Sequence, residues 1–146
     1  MKRTPDLQPL SRDHHQALFV AQKLRRASAD TASEAQDAFL AFWRSHGRHH
    51  FRCEEEILLP AYAGYGDPRH PLVLRVLAEH VVIRHAADQL KGSESPLEAL
   101  QELGVQLADH VRLEERELFP LIEQALPAAE LERVAAALAE AESPSG

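Results

Sequence analysis

An eleven-residue segment occurs twice in this chain, sixty positions apart, and each copy carries a histidine followed four residues later by a glutamate. The copies are His50-Phe51-Arg52-Cys53-Glu54-Glu55-Glu56-Ile57-Leu58-Leu59-Pro60 and His110-Val111-Arg112-Leu113-Glu114-Glu115-Arg116-Glu117-Leu118-Phe119-Pro120. They share the His, the Arg, two adjacent Glu, one Leu and the Pro. Residues four apart on a helix lie on one face, one turn above the other. Each copy therefore aims an imidazole and a carboxylate the same way, as a pair of metal ligands requires. A repeat that preserves the chemical residues along with the apolar ones predicts a two-fold, two-metal site.

The rest of the chain reads as helix. Leu10, His14, Ala17, Leu18, Ala21 and Leu24 follow helical spacing, with Pro9 and Ser11 as start signals. Asp30-Thr31-Ala32-Ser33 offers N-caps for a second helix, whose stripe is Ala35, Phe39, Phe42, His46, His50, Cys53, Glu54 and Ile57. That helix is expected to end near Pro60, before a connection rich in Gly and Pro from Tyr62 to Pro71. A third runs from about Pro71 to Leu90, with Val73, Val76, Leu77, His80 and Ala87 on one face. Gly92-Ser93-Glu94-Ser95-Pro96 separates it from a fourth, on which Leu100, Leu103, Leu107, His110, Glu114, Leu118 and Leu121 align. Pro127 opens a short fifth helix over 128–142, and Ser143-Pro144-Ser145-Gly146 reads as a frayed tail. No hairpin signal occurs. The expected fold is all-α, an antiparallel up-down-up-down four-helix bundle with a short C-terminal fifth helix. Its 146 residues form one domain with its core over 10–126. Bundles of this kind build metal sites in the core from facing helices.

The repeat extends beyond the segment. Asp13-His14 on the first helix matches Glu79-His80 on the third, and each histidine is followed ten positions on by a leucine, Leu24 or Leu90. Each helical hairpin thus contributes one His and one His-x-x-x-Glu. The candidate metal ligands are His14, His50, Glu54, His80, His110 and Glu114. All six occupy stripe positions where a Leu or Val would otherwise sit. Burying two glutamates and four imidazoles is costly without a compensating cation. The alternative is a metal-free core network of His–Glu pairs, which would suffice for any one histidine but not for four in two matching pairs.

Asp13-His14, His50-x-x-x-Glu54-Glu55 with Pro60, Glu79-His80, and His110-x-x-x-Glu114-Glu115 with Pro120, in that order, resemble the hemerythrin-like, or HHE cation-binding, domains. The resemblance covers Leu10 to about Leu126. It implies a four-helix bundle holding a non-heme di-iron centre bridged by carboxylates, with the same six ligands. Oxygen-carrying hemerythrins have His-x-x-x-His on the third helix, whereas four after His80 stands Arg84. They also end with His-x-x-x-x-Asp, whereas the carboxylate four after His110 is Glu114; Glu115 is acidic too, but the repeat favours Glu114. The arrangement is more similar to hemerythrin-like proteins linked to iron, peroxide or nitric oxide handling. It also resembles the C-terminal domain of iron–sulfur-cluster repair di-iron proteins, without their cysteine-bearing N-terminal domain.

Four histidines shared between two metals, plus two bridging glutamates, give about four protein bonds per metal and leave about two of six octahedral positions for water or a small molecule. This favours O2, H2O2 or NO chemistry, catalase-like turnover included. The competing reading is a non-enzymatic metal- or oxygen-binding module for iron storage, sensing or O2 carriage. Iron is the expected metal, with manganese or zinc possible. His46, one turn before His50, is a candidate ligand partner or extra ligand. His85 lies about 140° round the helix from His80, so ligation by it needs local distortion. His15 and His49 point about 100° away from the ligands beside them. His70 reads as a solvated loop residue, Cys53 as a small buried one, and Phe39, Phe42 and Trp43 as core. Glu55 and Glu115 fit either a hydrogen bond to a ligand imidazole or a solvated helix face.

Other classes are excluded by composition. A net charge of −7 offers no basic field for nucleic acid. No apolar run approaches the ~20 residues of a membrane span. The N-terminus lacks the apolar region of a signal peptide. The single cysteine forms no internal disulfide and fits a reducing compartment, so a cytoplasmic location is expected.

Overall fold

Apolar side chains recur every three or four residues along each stretch expected to be helical, and in the computed structural model each of those stretches is a helix. The structure describes residues 3–91 and 94–142, which form a helical bundle with no strand among them. A 3-10 turn at Pro5–Leu7 leads into α1, Gln8–Arg25. Then follow α2 over residues 32–63, α3 at Pro71–Leu90, α4 over residues 97–125 and α5 at Ala128–Glu142. The fifth helix, fifteen residues long, has the bounds expected for it. Gly92-Ser93 of the expected break and the Ser143–Gly146 tail lie outside the described residues.

The C-terminal end of α2 and the buried stripes of α2 and α4 depart from the sequence reading for one reason. Both contain π-helical turns: Trp43–Gly47 and Glu54–Leu58 in α2, and Glu114–Leu118 in α4. Proline lacks an N–H, and its ring crowds the carbonyl one turn back. Pro60 and Pro120 each follow a widened turn that absorbs this defect, so Pro60 does not end the helix and α2 continues to Ala63. The extra residue per turn also moves the buried stripe. Leu58 and Leu59 are buried where Ile57 was expected, and Ile122 where Leu121 was expected. At the first π turn Gly47 is buried and His46 only half-buried. A Cβ on Gly47 would lie 2.8 Å from ring carbons of both Phe42 and Trp43.

Thr31 precedes α2, but its hydroxyl accepts from the Ser28 amide at 2.9 Å and makes no cap to the helix. His70 corrects another expectation: its Nδ1 accepts from the Leu72 amide at 3.0 Å and caps α3.

Between α1 and α4 the contacts run in reversed order, Ser11 against Glu115 and Ala27 against Gln101. Between α2 and α3 they do the same, with Gln36 reaching Leu90 and Glu55 reaching Arg84. Near Gly104 the α1 and α4 backbones approach so closely that a Cβ would meet the Ala21 carbonyl oxygen at 2.7 Å. The core divides into two apolar clusters. One contains Ala21, Leu24, Phe39, Trp43, Phe51, Ile83, Leu103 and Leu107; the other contains Leu7, Leu58, Val76, Leu118, Phe119, Ile122, Val134 and Leu138. The second includes side chains of α5. The six candidate ligands fall in the layer between them. A fully buried Leu or Phe contributes roughly 1.5–3 kcal/mol, and the two clusters together offset the cost of a polar layer in the middle.

Candidate metal centre

Each of the first four helices delivers ligands because a buried stripe and a polar stripe coincide on it for one turn. α1 brings His14, α2 His50 and Glu54, α3 His80, and α4 His110 and Glu114. All six residues are at most 4% exposed. Their donor atoms form two overlapping groups, His14–His50–Glu54–Glu114 and Glu54–His80–His110–Glu114. Within each group, one atom per residue lies within 4.8 Å of every other. Both glutamates belong to both groups, and each histidine pair belongs to one. This is the two-fold arrangement the repeat implied.

The inward-facing atoms come close without satisfying one another. His50 Nε2 is 3.1 Å from Glu54 Oε2, His80 Nε2 is 3.0 Å from Glu54 Oε1, and His110 Nε2 is 3.0 Å from Glu114 Oε2. Yet both Glu54 oxygens, Glu114 Oε2 and the Nε2 atoms of His80 and His110 are buried with no hydrogen-bond partner. The exceptions are on the other side, where His14 Nε2 is 2.8 Å from Glu114 Oε1 and 3.1 Å from His50 Nε2. Five orphaned polar atoms converging at one place would be a large penalty in a finished core. A cation between them removes it, so the residues present fit a metal.

The outward-facing atoms are fully satisfied. Asp13 on α1 accepts from His50 Nδ1 at 3.0 Å, and Glu55 on α2 accepts from His80 Nδ1 at 2.6 Å. Glu79 on α3 accepts from His110 Nδ1 at 2.7 Å, and Glu115 on α4 accepts from His14 Nδ1 at 2.7 Å. Each helix thus supplies the acceptor for the histidine of the next, and the fourth closes the ring on the first. An Nδ1–H donated to a carboxylate leaves the Nε2 lone pair facing inward and raises its basicity, as metal-binding histidines require. Sequence reasoning left Glu55 and Glu115 undecided and gave Asp13 and Glu79 no partner. The signal was present in the doubled Glu of the repeat and in the acid preceding each single His.

Without a cation, the same contacts favour the protonated form of the four histidines. Burial opposes charge on His14, but the hydrogen bonds to Glu114 and Glu115 outweigh it and raise its pKa. His50 goes well up for the same balance, with the Glu54 charge leading the attraction. His80 is raised to about 9 and His110 to about 10, burial again being overcome by the two central glutamates. Burial would raise Glu114, yet the charge of His110 and the bonds from its neighbours hold it well below the usual carboxylate range.

The other histidines stay outside. His46 is half-buried and lies 2.8 Å from the Ser45 hydroxyl, and His15, His49 and His85 are exposed. Cys53 is buried with its Sγ 3.3 Å from His49 Nε2; it belongs to neither ligand group, and burial raises its pKa. Phe39, Phe42 and Trp43 are core, as expected.

The sequence profile of the hemerythrin HHE cation binding domain matches residues 7–122, which include every residue of the centre. The chain belongs to the hemerythrin HHE cation-binding family. None of the curated proteins or solved structures compared with it matches. Within this HHE domain, two aromatic rings close the ligand layer. Phe51 stacks on His80 with centroids 3.8 Å apart and planes within 4°, and Phe119 stacks on His14 at 5.3 Å and 14°. Arg84, where oxygen carriers have a histidine, does not enter the centre. Its guanidinium donates to Glu55 at 2.9 Å.

Proposed function

We propose that this HHE domain binds two metal ions, iron in both positions, and reacts with a small oxidant or with nitric oxide. One observation carries the reading: two four-residue ligand groups share both glutamates, and five of their inward atoms lack any hydrogen bond. On this reading His14 and His50 hold one ion, His80 and His110 the other, and Glu54 and Glu114 serve both. Imidazole and carboxylate together suit iron, and would also accept manganese or zinc. Bound iron supplies redox chemistry and open coordination positions for a ligand of two or three atoms. The chain's own residues fix the rest. The acceptor ring of Asp13, Glu55, Glu79 and Glu115 holds the imidazole planes, and Phe51 and Phe119 keep water from two of them. Ligands no more than 4% exposed restrict reactants to molecules such as O2, H2O2 or NO. Among the described residues no helix is long and apolar enough to cross a membrane. With its one cysteine a free thiol, we place the protein in the reducing cytoplasm.

Metal analysis with visible spectra before and after O2 or H2O2 tests this. Two irons per chain and a rapid spectral change on oxidation are expected. Peroxide loss with O2 release would establish catalase-like turnover. A stable, reversible oxygenated form would move the assignment to oxygen carriage, and one ion or none per chain would refute the two-metal reading.

A further inference from the structure

Two arginines from unrelated parts of the chain do the same thing to His14 and His80, the two candidate-ligand histidines whose helices contribute no glutamate to the ligand groups. On one side, Arg84 donates to Glu55 Oε1 at 2.9 Å while Glu55 Oε2 accepts from His80 Nδ1 at 2.6 Å. The same guanidinium lies over Phe51, 5.7 Å from its centroid, and Phe51 is stacked on His80. On the other side, Arg3 pairs with Glu115 Oε1 at 3.5 Å, donates to the Glu115 carbonyl, and is anchored by Glu123. Glu115 accepts from His14 Nδ1, and Arg3 lies over Phe119, 5.3 Å from its centroid, which is stacked on His14. In both places one arginine holds both the acceptor that fixes the imidazole in its plane and the ring that fixes the plane itself.

The internal repeat does not account for this duplication. It relates His14 to His80 and Glu115 to Glu55, but the repeat partner of Arg84 is Leu18, that of Phe51 is Val111, and that of Phe119 is Leu59. Arg84 lies one turn after its histidine on α3, whereas Arg3 precedes the first helix and reaches across to α4. One arrangement has thus been assembled twice from positions that do not correspond. Isolated Arg–Glu pairs near a surface contribute little, and arginine over a single ring is common. The coincidence of both contacts on one guanidinium, at both His14 and His80, is what those base rates do not supply.

We propose that Arg84 and Arg3 are positioning residues for the metal centre, each clamping one terminal histidine so that the two metal positions are set separately. This rests on the two-metal reading above. Groups that orient a ligand imidazole typically change metal affinity by about 10–100-fold. One bond further out, the lower end of that range, about tenfold, is expected at one position only.

The experiment uses the full chain loaded with Co(II), followed by titration and by proton NMR of the four shifted imidazole Nδ1–H signals in water. Arg84→Gln should weaken one of two Co(II) equivalents about tenfold and speed water exchange of the His80 proton, leaving the His14 proton unchanged. Arg3→Gln should do the reverse. Arg84 is a third exposed, so its replacement leaves the core intact. Arg84→Lys, which keeps a donor for Glu55, should recover most of the slow exchange. Equal weakening at both positions in either variant, unchanged exchange in both, or no recovery with lysine would overturn the clamp. If the unaltered protein takes up fewer than two Co(II), the two-metal reading fails instead.

Discussion

Replacing Glu54 by alanine separates a shared ligand from a terminal one. Glu54 belongs to both four-residue groups, so on the proposed two-metal reading its loss would take each metal from four protein ligands to three. His14 belongs to one, so His14→Ala leaves the His80–His110 group whole. Without metal the change should itself lower stability, because Glu54 is fully buried between His50 and His80 and its loss leaves both imidazoles without the carboxylate that faces them. With metal the variants diverge. At a free metal concentration 100 times the dissociation constant, each occupied position stabilises the fold by about 2.7 kcal/mol, hence about 5.4 kcal/mol for two. For a chain of this size that is a rise of roughly 15–20 °C in Tm. A hundredfold weakening at both positions cuts the gain to about 0.4 kcal/mol each, a rise of only a few degrees. The assay is anaerobic thermal unfolding with and without Fe(II), paired with iron content. His14→Ala should keep about half of the metal-dependent rise and one iron, and Glu54→Ala nearly none of either. A Glu54→Ala protein with two irons and the full rise would refute sharing by that residue.

Three further outcomes follow from the same geometry. In the metal-free protein His80 and His110 titrate at about 9 and about 10 against an ordinary 6.5, so the stability they supply is complete below pH 6.5 and disappears as pH rises through 9–10. Chemical denaturation of the apo form should give a lower unfolding free energy at pH 10 than at pH 6, while metal affinity, which requires neutral imidazoles, strengthens over the same interval; a flat apo profile would contradict the assigned contacts. Asp13→Asn should weaken binding about 10–100-fold at the His14–His50 position alone, measurable as a change from two equal equivalents to a tight and a weak one. Gly104→Ala should cost roughly 1–3 kcal/mol by denaturant titration, because its Cβ would press on the Ala21 carbonyl and the Arg25 amide rather than on a flexible side-chain tip, and an unchanged midpoint would mean α1 and α4 can separate there.

The clustering of the candidate ligands was legible in the sequence because helical spacing turns residue number into direction. His50 and Glu54, or His110 and Glu114, cannot avoid sharing a face, and the repeat showed that both pairs are kept together with His14 and His80. The π turns were not legible. A proline after an apolar run signals the end of a helix, and nothing local distinguishes an end from a widened turn that lets the helix pass. The cost was a one-residue error in the stripe beyond Glu54 and Glu114, at Ile57 and Leu121, while the two glutamates open these widened turns and stay on the face that helical spacing assigned them.

The acceptor ring was illegible for a different reason. Asp13 precedes His14 in the chain but serves His50, and Glu79 precedes His80 but serves His110. Spacing along one helix says which way a side chain points, not which neighbour stands there. The π turns lend the ring functional weight. Two of the three begin at the shared glutamates, and the very next residue, Glu55 or Glu115, turns outward to the adjacent helix's histidine. Two consecutive carboxylates thereby reach opposite ends of one imidazole layer, the first facing the proposed metal positions and the second orienting a candidate ligand toward them. The doubled glutamate is the part of the repeat that a simple ligand motif leaves unexplained, and orientation of the neighbouring histidine is the physical reason for its second member.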